Sequence, residues 1–200
     1  MSLVLKNIFR KVPEPAQLET QRLRLVLAEP AQAALWAGFQ QKNRSHLAPW
    51  DPQRDEDFFT PFAWQLRLEN ARLQYQQGSA IHWVLLDKQQ DEMLGQCSFS
   101  NIVRGSFMAC HLGYSLAASA EGKGLMKEAL DAAIGHLFST QDLHRIMANH
   151  LPHNLRSAKL LQRLGFEKEG YARSYLKIAG IWQDHILNSL LNPAHLQASE

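Results

Sequence analysis

Between residues 22 and 27 the chain alternates polar and apolar positions, Arg22-Leu23-Arg24-Leu25, and then turns fully apolar at Val26-Leu27. A period of two predicts a strand with one buried face. Pro30 suits the first turn of a helix, and the pattern carries it to about Lys42 with Leu35, Trp36 and Phe39 on one stripe. Leu47-Ala48-Pro49-Trp50-Asp51-Pro52 reads as a loop, because each proline restricts the residue ahead of it. Thr60-Pro61 has N-cap and first-turn chemistry for a second helix reaching about Gln77, with Gly78 as its stop. Apolar runs at 81–86 and 93–99, split by a polar turn, predict two strands. Arg104-Gly105-Ser106 then turns the chain into a third strand over 107–116, so that an antiparallel meander is expected.

Beyond residue 120 the period changes. Leu125, Met126, Ala129, Leu130, Ala133, Ile134 and Leu137 recur at helical spacing, which makes 125–138 an amphipathic helix. A short strand at 145–149, a helix at 157–164 stopped by Gly165, a strand region entered at Phe166 and a last strand at 181–191 follow. Strands with interposed helices define an α/β (α+β) domain and not a bundle or a sandwich. Pro13 and Pro15 resist both helix and sheet, so residues 1–17 read as a loosely held arm ahead of a domain over 18–192 and a tail over 193–200.

Composition narrows the function classes. A chain of 200 residues with 46% hydrophobic and 20% charged residues has the length of one domain and enough apolar side chain for a packed core. A net charge of +2 carries no strong nucleic-acid signal. No stretch approaches the roughly 18 apolar residues of a spanning helix, and the N-terminus lacks a secretory pattern, so no membrane partner is expected. Cys97 and Cys110 lack metal or redox spacing and read as buried thiols in a reducing compartment, with the cytoplasm as the default. His150 and His153 have H-x-x-H spacing but no third ligand, and Pro152 lies between them; no metal is expected.

The chemistry concentrates in Glu121-Gly122-Lys123-Gly124-Leu125-Met126, between a strand and the long helix. Two glycines allow the backbone to curl until several N–H groups converge at a helix N-terminus, a site that suits a phosphate or diphosphate. It lacks the Lys-Ser/Thr of a P-loop and the dinucleotide fingerprint, and an ordinary turn remains the competing reading. Asn154, ahead of the helix that carries Ser157, Leu160, Leu161 and Leu164, reads as a cap whose remaining polar atoms face a ligand.

Taken together, these segments resemble the GCN5-related N-acetyltransferase (GNAT) superfamily, in which a strand, a Q/R-x-x-G-x-G/A loop and a helix bind the diphosphate of acetyl-coenzyme A. A later N-x-x-S…L-x-x-x-G-F segment lies along the pantetheine arm. Arg22-Leu23-Arg24-Leu25, Pro49-Trp50, Asn101 to Phe107, Leu112-Gly113-Tyr114, His144 to Asn149, Pro152-His153-Asn154 and Leu164 to Gly170 are similar to the ribosomal-protein alanine N-acetyltransferase branch of RimJ/RimL type, nearest RimJ. The resemblance spans about residues 22–191. Glu121 stands where Gln or Arg is usual, and Met126 where a small residue is usual.

The resemblance implies a single GNAT-like domain whose mixed, mostly antiparallel twisted sheet, flanked by helices, splays between strands 107–116 and 145–149 to admit the pantetheine arm. It implies direct acetyl transfer in a ternary complex to a protein N-terminal α-amine, the N-terminal alanine of a ribosomal protein. Main-chain amides at Ser115 and Leu116 would polarise the thioester carbonyl, residues 121–126 and Asn154 would bind the cosubstrate, and Ser157 would protonate the leaving thiolate. His111 is the first candidate base and Asp184 the second, while Trp50, Asn101 and Tyr114 would bind the acceptor. Structural duties compete for each: Ser157 as a cap hydroxyl, His111 as a half-buried histidine, Asp184 as a strand anchor. An α-amine with a pKa near 7.7–8.0, against about 10.4 for lysine, is partly neutral without help, so a strong base is optional. A small amine acceptor (polyamine, aminoglycoside or amino acid) and a non-catalytic acyl-coenzyme A-binding or ribosome-assembly role stay open. So does the choice between monomer and dimer.

Overall fold

The computed structural model describes residues 17–89 and 91–196. The proline-bearing arm lies outside them except for Gln17, as do the last four residues of the tail. Eight strands form one sheet in the order β1-β2-β3-β4-β5-β6-β8-β7. They are β1 (Leu18–Glu19), β2 (Leu23–Leu27), β3 (Ile81–Asp87), β4 (Met93–Val103), β5 (Ala109–Leu116), β6 (Arg145–His150), β7 (Glu167–Ile178) and β8 (Ile181–Leu191). The helices are α1 (Ala33–Lys42), α2 (Arg44–Leu47), α3 (Pro61–Gln76), α4 (Leu125–Gln141), α5 (Leu155–Arg163) and α6 (Pro193–Leu196).

The amphipathic patterns explain which faces are buried. Leu23 and Leu25 are fully enclosed while Arg22 is exposed, so the alternation of β2 sets its register. Every apolar position of the α4 stripe is buried, from Leu125 and Met126 to Leu137. The helix runs three residues past the expected Phe138, because Arg104 holds the carbonyl and side chain of Gln141 before the chain turns at Asp142. Thr60 caps α3 by accepting from Ala63 N at 3.3 Å, with Pro61 as its first residue.

Other boundaries move as well. The loop over 47–52 is preceded by the single turn of α2. Asn154 caps α5 two residues earlier than the 157–164 helix expected, so Ser157 sits inside the first turn. The region entered at Phe166 becomes a twelve-residue edge strand hairpinned to β8, and the expected tail opens with α6.

Among the described residues only β5 and β6 run parallel, and they are bridged at three places: Ala109↔Arg145, Cys110↔Ile146 and His111↔Met147. Beyond His111 the bridging stops, although β5 continues to Leu116 and β6 to His150. The sheet therefore splays where the sequence resemblance placed the split. β5 stays zipped to β4 on its other side from His111 to Leu116.

Candidate active site

The turn ahead of α4 is shaped by Gly122 and Gly124, at φ +73° and +75°. That left-handed conformation costs a residue with a Cβ about 1–2 kcal/mol. A Cβ on Gly122 meets nothing within 4 Å, so the requirement there is conformational and the space over the turn is clear. Main-chain bonds bracket the turn: Glu121 N donates to Ala118 O at 3.4 Å and Glu128 N to Gly124 O at 3.1 Å. Among the described residues, the amides of 122–127 make no hydrogen bond. Unspent N–H groups at the positive end of a long helix are a diphosphate cradle, and the residues present fit that group.

Arg22 braces the cradle from outside. Its Nη1 donates to Lys123 O at 2.8 Å, and Nε and Nη2 reach Glu128 Oε2 at 2.7 and 2.6 Å. Glu128 Oε1 accepts from Arg22 N and Thr20 Oγ1. Burial pushes the Glu128 carboxyl up, and the bonds from Thr20 and Arg22 outweigh it, leaving it below the usual carboxylate range. Glu121, the departure from Gln or Arg, is ion-paired: Arg156 in the first turn of α5 donates to Oε2, and His46 Nε2 lies 3.3 Å from Oε1. A carboxylate near a diphosphate is thus largely neutralised by its own neighbours, and the pair ties α5 to the cradle.

Across the split, Tyr114 of β5 and Ser157 of α5 meet hydroxyl to hydroxyl at 2.6 Å. Burial raises the Tyr114 phenol to about 12, with the Ser157 hydrogen bond lowering it in part. Asn154 Oδ1 accepts from Ser157 N at 3.0 Å, so the cap fixes Ser157 in place while Asn154 Nδ2 makes no bond among the described residues. Ala117 N donates to Leu94 O at 2.7 Å. Main-chain groups alternate sides along a strand, so Ser115 N–H is spent on β4 while those of Tyr114 and Leu116 turn toward the split.

The remaining predicted residues disperse. His111 holds the last bridge before the split, with Nδ1 buried and unpartnered among the described residues; burial lowers its pKa. Asp184 accepts from Tyr171 OH and from Ser174 N at 2.8 Å, which tethers the β7–β8 hairpin. Chiefly the Tyr171 hydrogen bond holds its carboxyl below the usual range, which suits an anchor better than a base. Trp50 packs its ring 5.7 Å from that of His153, next to Asn154. Asn101, in left-handed backbone, follows Ser100, the β4 partner of His111, at an irregularity in the β4–β5 pairing.

Sequence reasoning missed several supports. Gly95 opposes Leu116, and a Cβ there would come within 2.5 Å of Ser115 O and 2.9 Å of Leu116 Cδ1. Arg156 and His46 were equally silent, since their partner Glu121 lies far away in the chain. Asn43 Oδ1, which accepts from Ala118 N at 3.1 Å, joins the end of α1 to the cradle and offered no signal either. Among the described residues there is no cluster that could hold a metal and no helix long and apolar enough to cross a membrane.

A splayed β5/β6 pair, a bare glycine turn on a long helix and a hydroxyl pair across the split define an acyl-coenzyme A-dependent transferase. Residues 22–167 match the acetyltransferase (GNAT) domain, and the chain belongs to that family, with acetyl-coenzyme A as its cosubstrate. It is 49% identical over 185 residues to the [ribosomal protein uS5]-alanine N-acetyltransferase of Escherichia coli (strain K12), covering 92% of this chain and 95% of that one. The crystal structure of ribosomal-protein-S5-alanine acetyltransferase from Vibrio fischeri superposes with a TM-score of 0.86 at 42% identity, covering 90% and 98% of the two chains. Mycobacterium smegmatis RimJ in complex with CoA-disulfide gives 0.81 at 27% identity, covering 89% and 84%.

Proposed function

We propose that this acetyltransferase modifies the N-terminal α-amine of a protein, and that its acceptor is the N-terminal alanine of ribosomal protein uS5. The observation that carries this reading is near-full-length identity of 49% to an enzyme named for that reaction.

Direct transfer needs a held cosubstrate, a donor for the oxyanion and a proton for the thiolate, and the geometry supports a candidate for each. Amides 122–127 bind the diphosphate, and Asn154 Nδ2 holds the pantetheine arm in the split. The neutral amine nitrogen attacks the thioester carbonyl carbon, and the negative charge that develops on its oxygen is met by the amides of β5 that face the split, with Leu116 foremost. As the carbon–sulfur bond breaks, Ser157 gives its proton to the thiolate. The Tyr114 phenol keeps its own proton through the working pH range and donates into Ser157 Oγ, which orients the serine proton toward the sulfur. His111, at the last bridge before the split, accepts the proton lost by the amine at Nε2, directly or through water, its Nδ1 being enclosed.

The test is a panel of short peptides beginning with Ala or Ser, together with polyamines, aminoglycosides and free amino acids, each assayed for coenzyme A thiol release. Turnover of the uS5 N-terminal peptide above all others is the expected result. Fast polyamine turnover with none of any peptide would overturn the reading, and calorimetric cosubstrate binding with no thiol release would replace it with a non-catalytic role.

A further inference from the structure

Acetyl-coenzyme A brings more negative charge than the cradle meets. Beyond its diphosphate, the 3′-phosphate of its adenosine is a monoester that adds about 1.5 to 2 negative charges at pH 7. The cradle offers amide dipoles and the side chain of Lys123, which makes no ion pair among the described residues. Lys127, in the first turn of α4, is already paired with Asp131 at 2.7 Å. A second set of cations has to stand nearby if the monoester is to be held.

The helix beside the cradle carries such a set. Leu160, Leu161 and Leu164 turn one side of α5 to the core, while Arg156, Lys159 and Arg163 are exposed on the other. At about 100° and 1.5 Å per residue, Lys159 lies about 60° round the axis from Arg156 and about 4.5 Å along it, and Arg163 about 20° round and 10.5 Å along. The three form one basic row, and α5 contains no acidic residue to interrupt it. An observed contact fixes where the row begins: Arg156 donates to Glu121, the residue ahead of Gly122, so the row starts at the diphosphate site and leads away from it. Arg156 is spent on that carboxylate. The side chains of Lys159 and Arg163, by contrast, make no hydrogen bond or ion pair among the described residues. A free ammonium and a free guanidinium about one turn apart match a phosphate monoester, the first as a point charge and the second as a fork of donors.

We propose that Lys159 and Arg163 hold the 3′-phosphate of the cosubstrate's adenosine and so make the enzyme select coenzyme A thioesters over dephospho-coenzyme A thioesters, which lack that group. This assignment rests on the diphosphate cradle at 122–127 and gives the same molecule a second anchor, amides at the diphosphate and side-chain cations at the monoester. Arg156 positions the row by tying α5 to Glu121.

Calorimetry with coenzyme A and with dephospho-coenzyme A tests it on the wild type, Lys159→Gln, Arg163→Gln and the double variant, all changed on an exposed face. The wild type is expected to bind coenzyme A about tenfold more tightly than the dephospho form, a preference that shrinks as ionic strength rises. Each single variant should cut the preference to about threefold. The double variant should abolish it by weakening coenzyme A alone, with the dephospho form held within roughly twofold. Equal affinities in the wild type, or a full preference in the double variant, overturn the proposal and leave the cradle standing. Equal weakening of both ligands in the double variant also overturns it, because the row would then act on the diphosphate. Binding of neither ligand by the wild type refutes the cradle itself.

Discussion

Tyr114 and Ser157 lie 43 residues apart in the chain, yet their hydroxyls approach to 2.6 Å across the gap where β5 leaves β6. A phenol held near 12 is a donor and not a base. Either hydroxyl can donate across this contact; in the proposed transfer the phenol donates to Ser157 Oγ, which leaves the serine's own proton for the departing sulfur. Two residues acting as one unit lose their function together. Ser157→Ala is expected to lower kcat by about 10²-fold, and Tyr114→Phe by somewhat less. The double variant should be no slower than Ser157→Ala alone, because the phenol acts only through the serine. Thiol-release kinetics check this, and additive losses would separate the roles. Since Asn154 caps the turn independently, acetyl-coenzyme A KM should stay within roughly twofold in Tyr114→Phe.

Glu121 gives a prediction of opposite sign. Its carboxylate is bound by Arg156 and approached by His46. Glu121→Gln removes the negative charge and releases the Arg156 guanidinium toward the cradle. Two unit charges about 4 Å apart in water interact by about 1 kcal/mol, so cosubstrate affinity should rise about fivefold. Arg156→Ala leaves the carboxylate unneutralised beside the diphosphate and should weaken binding by a similar factor. Calorimetry at two ionic strengths reads both effects, which salt should shrink. Equal affinity in all three proteins would place the diphosphate away from residue 121.

Gly95 tests the strand that faces the thioester. A Cβ added there meets main-chain Ser115 O at 2.5 Å, a contact that only movement of β5 relieves. The end of β5 carries the Leu116 amide, so Gly95→Ala should cost activity as well as stability. A loss of kcat of tenfold or more is expected, since one misplaced donor is worth that much, alongside a melting temperature lowered by a few degrees from the overpacked contact, about 1–3 kcal/mol. Full activity in Gly95→Ala would show that the oxyanion is met elsewhere.

What was legible in the sequence followed from periodicity and from local chemistry. The α4 stripe, the Thr60-Pro61 start of α3 and the glycine turn each state their structure within a few residues. The edge strand β7 showed only as a strand region entered at Phe166, without its length, because both of its faces are largely exposed and no apolar alternation marks it. Asn154 and Ser157 share one helical turn and were readable as a pair, whereas the contact of Ser157 with Tyr114 depends on where α5 docks. Asn101 was readable only as part of a motif, and its place one residue past Ser100, the β4 partner of His111, depends on the register of the sheet. Asp184 was readable as base or anchor, and only its bonds to Tyr171 and Ser174 favour the anchor.

His111 sets a pH dependence of its own. Burial lowers its pKa, so its neutral, proton-accepting form persists below the usual histidine range. The acceptor amine, with a pKa of about 8, must also be neutral to attack. Log kcat/KM should therefore fall with decreasing pH in two stages, with a slope of about one below pH 8 and about two below the depressed histidine pKa. His111→Gln should be slower throughout and keep only the first stage. Stability moves with the same sign: a folded-state pKa below the unfolded value near 6.5 means the unfolded chain takes the proton first. His82, His136 and His185 are lowered by burial as well, so unfolding should become easier as pH drops below about 6.5 and on through the folded-state values, and His111→Gln should lessen that loss only slightly. Denaturant melts at each pH separate this loss from the kinetic limb. A second stage that survives in His111→Gln would assign the base to another group.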